Sequence, residues 1–576
     1  MPRLAVAVLT GLPLAVWPLT AVQVLPSAVA GEVVDAQTGA AIAGARVSLA
    51  EPLGTASTAL TGETGQFAFD AVSPGRYELG VSASGFASGG LGVLPGSGGF
   101  IDIADGQPSL GHRLYLWKLG VISGTVVDQY GQPAVSLAVE ALRRDETAGR
   151  VSWFGNYRAV TDDKGRYRLS SLPPARYVVA VQSAPAPALR SPGTGVPTVF
   201  YPAAATTTAA ELLAVGPGEE RRNTDISLGA PVALGAVAGR VTTPEGPVSC
   251  KVRLVPWEAR DSPSEIETLV ATSSPDGRFG FVGVPPGQYE LVAVVVPTAS
   301  DGTWDGTVSG PGVIQFRGSG PHALPPTPSA PTWWGEASLT VEDRGTSDVT
   351  LALQAGARIF GRVTYDGTAS RPDPVNAFVI VTPADARDDL GDAHIPLAPL
   401  GADGVFETVG LPPGFYEVSP FTLFSPRWSV DSVLVGGKDI AGGALELGSS
   451  DVRSVQITLT DRPASLSGTT RDRNGVPIPG LLVVAFARDP QLRHHVHWGA
   501  SRMAMGQSDA QGRYALSGLL PGDYYVGTLS HEQLLTWVLS DQSEQLNQLA
   551  GTSAVVRLDP HESHALDLQV RNPSGH

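Results

Sequence analysis

Residues 161–181 read TDDKGRYRLSSLPPARYVVAV. Asp and Gly tolerate the left-handed backbone of tight turns, so DDKG marks a hairpin. The alternating run after it and the apolar run from Tyr177 read as strands. The phrase returns as TGETGQFAFDAVSPGRYELGV from Thr61, SPDGRFGFVGVPPGQYELVAV from Ser274, GADGVFETVGLPPGFYEVSPF from Gly401 and SDAQGRYALSGLLPGDYYVGT from Ser508. In each copy a turn glycine (Gly65, Gly165, Gly277, Gly404, Gly512) precedes a tyrosine (Tyr77, Tyr177, Tyr289, Tyr416, Tyr524) by twelve residues. Successive tyrosines lie 100, 112, 127 and 108 residues apart, which is the length of a domain and not of a solenoid repeat.

The totals agree. A chain of 576 residues holds four to six domains of about 100–150 residues. Its 68 Gly and 48 Pro would suit disorder, but 42% hydrophobic residues in regular short runs point to turn-rich β structure. A net charge of −16 without Lys/Arg clusters argues against nucleic acid as a partner. The single cysteine, Cys250, has no internal disulfide partner and sits in the apolar context PVSCKVRLV, where it reads as a small buried hydrophobe. The opening MPRLAVAVLTGLPLAVWPLTA has the layout of a secretory signal, with cleavage expected after Ala21, and no other run is long enough for a transmembrane helix.

Each unit opens with a Gly-x-Val-like strand: AGEVVD at 30, SGTVVD at 123, AGRVTT at 238, FGRVTY at 360 and SGTTRD at 467. A polar turn follows, then a second apolar run such as ARVSLA at 45 or LLVVAFA at 481. Period-two alternation between turn signals predicts antiparallel strands. The aromatic two residues after the turn glycine (Phe67, Tyr167, Phe279, Phe406, Tyr514) should face the core. Pro-Gly before the tyrosine suits a type II turn with a left-handed glycine, which leaves Ala175, at that position in the second unit, with another turn or with backbone strain. Tyr77, Tyr177, Tyr289, Tyr416 and Tyr524 are then structural residues, buried with the hydroxyl on nearby backbone, resembling the tyrosine corner of immunoglobulin-like sandwiches.

The order Gly-x-Val-x-Asp, turn, Val-x-Val, Asp-x-x-Gly-x-Phe/Tyr, Leu-Pro-Pro-Gly-x-Tyr resembles the carboxypeptidase regulatory-like domain, a transthyretin-like (prealbumin-like) β-sandwich. The resemblance covers nearly all of residues 22–576 and implies an all-β chain of five tandem transthyretin-like or Ig-like antiparallel Greek-key sandwiches. The divisions expected are a targeting segment 1–21 and sandwiches at 22–117, 118–230, 231–354, 355–461 and 462–576. At most a short helix is expected near the C-terminus, over DQSEQLNQL at 541–549.

Catalytic motifs are missing from the sequence. It has no His-x-x-Glu of a zinc carboxypeptidase, no His-Glu-x-x-His, no Gly-x-Ser-x-Gly elbow and no phosphate-binding Gly-rich loop with Lys. The nearest approach to a metal site is RHHVHW at 493–498, where His495 and His497 would share a strand face and need His531, His561 or His564 nearby; a solvated histidine loop is the favoured reading. Asp385, Asp388, Asp389 and Asp392 in DARDDLGD lack the ordered spacing of a calcium loop. Trp153, Phe154 and Tyr157 in the second unit, with Trp304, Phe316, Trp333 and Trp334 around the Gly/Pro-rich segment 297–332, are the ligand-binding candidates, able to stack on sugars or anchor a partner. The plainer reading puts them over sheet edges or in joints between domains. The expectation is a noncatalytic, exported scaffold in the periplasm, outside the cell or on its surface, with no cofactor and an unknown protein or glycan partner. The alternatives are a carbohydrate-binding protein using loop aromatics and an accessory subunit of a separate peptidase.

Overall fold

The computed structural model describes residues 27–570 except 51–55, 91–98, 104–105, 107, 148–149, 183–192, 298–305, 310–312, 317–326, 343–344, 373–376, 385–396, 423–427 and 494–501. The expected targeting segment lies outside the described residues. Each of the five repeat units is built on two sheets. In the first unit one sheet pairs Gln66–Val72, Ser27–Asp35 and Ser109–Lys118, and the other pairs Ala56–Leu60, Arg46–Ala50 and Gly75–Ser82. The other four units repeat the pattern around the opening strands Gly120–Val127, Gly235–Thr243, Ile359–Asp366 and Ala464–Arg471. A core lies between the sheets of each: Val29, Val33, Val47, Phe67, Tyr77, Leu79 and Leu114 fill the first.

Antiparallel pairing dominates, with one exception that recurs in every unit. The opening strand takes the unit's last strand on its other side, in parallel: Ser27–Asp35 with Ser109–Lys118, Gly235–Thr243 with Thr346–Ala352, Ile359–Asp366 with Val452–Thr460. In the second and fifth units the last strand is broken in two, Glu220–Arg221 with Ile226–Ser227 and Ser563–Ala565 with Leu568–Gln569. The chain has by then crossed the whole sandwich, and a crossover of that length permits parallel entry.

This pairing accounts for the glycine that opens each unit. A side chain at Gly31, Gly124, Gly239 or Gly468 would collide with a backbone carbonyl of the parallel neighbour, at His112, Thr224, Val349 and Leu566 respectively; at Gly361 it would meet the Phe406 ring and the Val455 carbonyl. Only glycine allows so close an approach.

Two nine-residue helices, α1 (His531–Leu539) and α2 (Gln542–Ala550), follow the tyrosine strand of the fifth unit. The second coincides with the expected helix and is N-capped by Asp541. The first was not anticipated; Ser530 and Gln533 close a capping box at its start, the Ser-x-x-Gln signature of a helix N-terminus.

Consecutive units are joined by short connections, such as the single residue Leu119 between Ser109–Lys118 and Gly120–Val127. The units also touch out of sequence. Val34, Ala36, Ala87, Tyr115 and Trp117 of the first unit share one buried cluster with Leu482, Val484, Phe486, Met503, Leu529, Leu534, Trp537, Leu546 and Leu549 of the fifth.

Candidate functional site

The hairpin glycines Gly65, Gly165, Gly277, Gly404 and Gly512 all have positive φ, between 71° and 81°. Each donates its N–H to the carbonyl three residues back, at 2.8–2.9 Å, and its own carbonyl accepts the N–H of an opening-strand residue (Val33, Val126, Val241, Val363 or Thr470) at 2.7–2.8 Å. The hairpin is thus tied to the strand that starts the unit. In the second unit Asp162 accepts from the N–H groups of Lys164 and Arg166 and from Arg166 Nε, each at 2.9 Å. The Arg166 side chain holds this carboxyl at about 2, well below the usual range.

The returning strand carries the aromatic inward, and Phe67, Tyr167, Phe279, Phe406 and Tyr514 are all buried. Where this residue is tyrosine, its hydroxyl donates to the last-strand carbonyl that crowds the opening glycine: Tyr167 to Thr224 O and Tyr514 to Leu566 O, both at 2.6 Å.

The tyrosine twelve residues past the turn glycine is 0–7% exposed in all five units. The hydroxyl donates to the carbonyl four residues earlier: Tyr177 to Pro173 at 2.6 Å, Tyr289 to Pro285 at 2.9 Å, Tyr416 to Pro412 at 2.8 Å and Tyr524 to Leu520 at 2.7 Å. Burial pushes the phenols of Tyr289 and Tyr524 up to about 12 and that of Tyr177 higher still.

The turn before it is not the type II turn that Pro-Gly suggests. Gly75, Gly287 and Gly414 lack positive φ, Gly522 has a φ of 150°, far from the roughly 80° of a type II turn, and each begins a strand, as Ala175 does. A Cβ at Gly75 or Gly287 would rest 3.4–3.5 Å from the tyrosine ring two residues on, an ordinary contact, so Ala175 is accommodated without strain. The left-handed residue sits earlier, six positions before the tyrosine, at Ala71, Ser171, Gly283 and Gly518. Beside it the opening strand shifts register, so this is a bulge.

The aromatic candidates do not converge. Trp153, Phe154 and Tyr157 lie in a strand, Arg150–Val160, not in a loop. Tyr157 packs edge-on against Tyr177 with ring centres 5.9 Å apart, and Trp153 packs on Leu142, Val178, Ala180 and Phe200, a cluster that Ile266 of the third unit joins. Trp333 and Trp334 open the strand Trp333–Val341, both half-buried, with Trp333 against the third core. Trp304, His495, His497 and the four aspartates of 385–392 lie outside the described residues. Of the other histidines, His561 contacts Asp366 across the junction between the fourth and fifth units at 3.2 Å, and His564 pairs with Glu562 at 2.8 Å. Among the described residues, no group of three or more His, Cys, Asp or Glu is arranged to hold a metal ion. Cys250 is buried, its thiol pushed up by desolvation.

Polar side chains that sequence reasoning passed over gather at the junctions. Glu267 of the third unit is buried and takes the N–H of Thr207 at 2.6 Å, the Thr207 hydroxyl at 2.9 Å and the Ser264 hydroxyl at 2.6 Å. Burial raises its carboxyl above the usual range. Arg358 of the fourth unit donates to the carbonyls of Pro328, Ser329 and Ala330 at 2.9–3.0 Å, and Arg502 of the fifth donates to Ala441 O at 2.9 Å. A lone Glu, Thr or Arg in a polar loop carries no local sign of such a role.

No curated protein matches the chain. Solved structures with partial likeness include the Bacillus anthracis TIE protein, 12% identical with a TM-score of 0.14, the match covering 72% of this chain and 66% of that one. The minor pilin of Streptococcus agalactiae is 12% identical with a TM-score of 0.23, over 35% of this chain and 95% of that one. A putative carbohydrate binding protein from Pseudomonas aeruginosa is 16% identical with a TM-score of 0.13, over 21% and 89%. A family model, the carboxypeptidase regulatory-like domain, matches residues 28–99 and 121–199, in the first two units.

Proposed function

We propose that the protein is a noncatalytic, exported scaffold of five β-sandwich domains, divided at about the boundaries between the repeat units. The observation that carries this reading is what the recurring residues do. In unit after unit the turn glycine and the corner tyrosine are occupied in fastening backbone to backbone, and the inward aromatic is buried in the core. The conspicuous side chains between units, Glu267, Arg358 and Arg502, are occupied by backbone and hydroxyl groups in the same way. Among the described residues no helix is long and apolar enough to cross a membrane. The partner is a protein or glycan met outside the cytoplasm, and the chain's net charge of −16 disfavours nucleic acid.

Two measurements test this. Purified protein should turn over neither peptide nor ester substrates, and fractionation of the producing cells should find it in the envelope or medium. Turnover abolished by a point substitution outside the cores, or a purely cytoplasmic chain, overturns the proposal.

A further inference from the structure

The contact between the first and fifth units stands out because it is not a consequence of chain order. On the first unit's side, Ser109–Lys118 buries four consecutive residues, Leu114 to Trp117, where a strand covered on one face buries every second one. Leu114 and Leu116 point into their own core, and Tyr115 and Trp117 join Val34, Ala36 and Ala87 on the outer face. On the fifth unit's side, Leu482–Ala487 is buried at all six positions, with Val483 and Ala485 turned inward and Leu482, Val484 and Phe486 outward. Leu534 and Trp537 of α1, with Leu546 and Leu549 of α2, complete the outward cluster, each pair at the i, i+3 spacing that lines one helix face. Trp117, Phe486 and Trp537 are 1%, 0% and 2% exposed. The Tyr115 hydroxyl is hydrogen-bonded to the Gln507 side chain. α1 also reaches the second unit, where Leu539 Cδ1 lies 4.0 Å from the position of a Cβ on Gly216.

We propose that this is an intramolecular docking surface. The outer face of the first unit is the receptor, the helix pair and outer strand face of the fifth are its occupant, and the chain is a closed particle in solution. Separated, each face would expose aromatic and aliphatic surface of a size that monomers in water seldom tolerate. Joined through the intervening units, the two meet within one chain, at an effective concentration that dilution does not lower as it lowers that of a second copy. An outside partner reaches the Tyr115–Trp117 face only by displacing the fifth unit, so closure governs access to it. This inference is independent of the noncatalytic reading, since an enzyme can be closed in the same way.

A cysteine pair tests it in the full chain. A Cβ at Gly111 would stand 4.0 Å from Cβ of Ala510, within the span of about 3.5–4.5 Å that a disulfide bridges. Gly111→Cys with Ala510→Cys, in a Cys250→Ala background, should oxidise to a fast-migrating monomer on a non-reducing gel. A covalent dimer would overturn the proposal in favour of a second copy as occupant. Gly111 has φ +83°, so the double variant is strained, and small-angle scattering of the unaltered protein supplies the second reading. A closed chain of this length gives a radius of gyration of about 25 Å. Five bodies of about 13 Å each, strung in a row, give roughly twice that value. A compact value that rises on Trp537→Glu supports the proposal, and an extended value for the unaltered protein overturns it.

Discussion

At Tyr416 a buried ring carries a single polar atom, and Pro412 O satisfies it. Tyr416→Phe removes the bond and strands a carbonyl, which should lower the fourth unit's stability by about 1 kcal/mol. Tyr416→Ala also opens a cavity and should cost about 3–5 kcal/mol. Chemical denaturation of the two variants separates bond from ring. The same phenols make the fold sensitive to alkali. Tyr289 and Tyr524 titrate at about 12 when folded against an ordinary value near 10. Their contribution is therefore complete below about pH 10 and drains away as pH rises towards 12. Tyrosinate absorbance followed against pH should show these rings ionising only with unfolding. Ala71 gives the opposite case: an alanine in the left-handed region, φ 59°, at a bulge where the third and fifth units have glycine. Ala71→Gly should relieve about 1 kcal/mol of backbone strain and raise the melting point of the first unit.

The opening strand is held on both sides, by the hairpin and by the parallel last strand. Gly124→Ala puts a methyl group onto the Thr224 carbonyl and should part the opening strand from Glu220–Arg221 and Ile226–Ser227 while leaving the hairpin side intact. Hydrogen exchange resolved by residue should show protection falling at Val121, Thr224 and Leu228, whose N–H groups bond across this pairing, and holding at Val126, which donates to Gly165. The two sides were not equally legible. Hairpin, inward aromatic and corner tyrosine are encoded within some twenty residues, and their fixed spacing exposes them. The last strand lies up to about a hundred residues from its parallel partner and leaves only the unexplained glycine of Gly-x-Val as its trace. Pro-Gly misled because proline's fixed φ suits both a turn and the entry to a strand. Of the candidate ligand residues, Trp333 looks like a loop aromatic because its strand follows the Gly/Pro-rich segment 297–332, and Tyr157 because Gly155 and Asn156 interrupt the strand that holds it. Two-sided burial, by contrast, was written openly: LYLW at 114–117 and LVVAFA at 482–487 are unbroken apolar runs, whereas KVRLVP at 251–256 stays largely alternating.

Joints between consecutive units carry buried polar contacts beside apolar ones, and Glu267 is the most buried carboxyl among the joint contacts described above. Its raised folded value means that its share of the joint between the second and third units is complete below the ordinary carboxylate range, near pH 4.3, and is lost as pH rises through the elevated value. Thermal melts from about pH 4 to 7 should show this loss in the native chain, and Glu267→Gln, which cannot ionise, should flatten it. A slope unchanged by the substitution would remove Glu267 from the account. The parallel pairing has one more consequence. When opening and closing strands run side by side in the same direction, a pull on the two ends of a unit drags them past each other. All their hydrogen bonds then bear the load together instead of opening one by one like a zip. The first, third and fourth units have longer pairings of this kind, each with a single register shift, whereas in the second and fifth the pairing is split into two short strands. Under tension the second and fifth should yield first, and single-molecule stretching would show two weak ruptures before three strong ones.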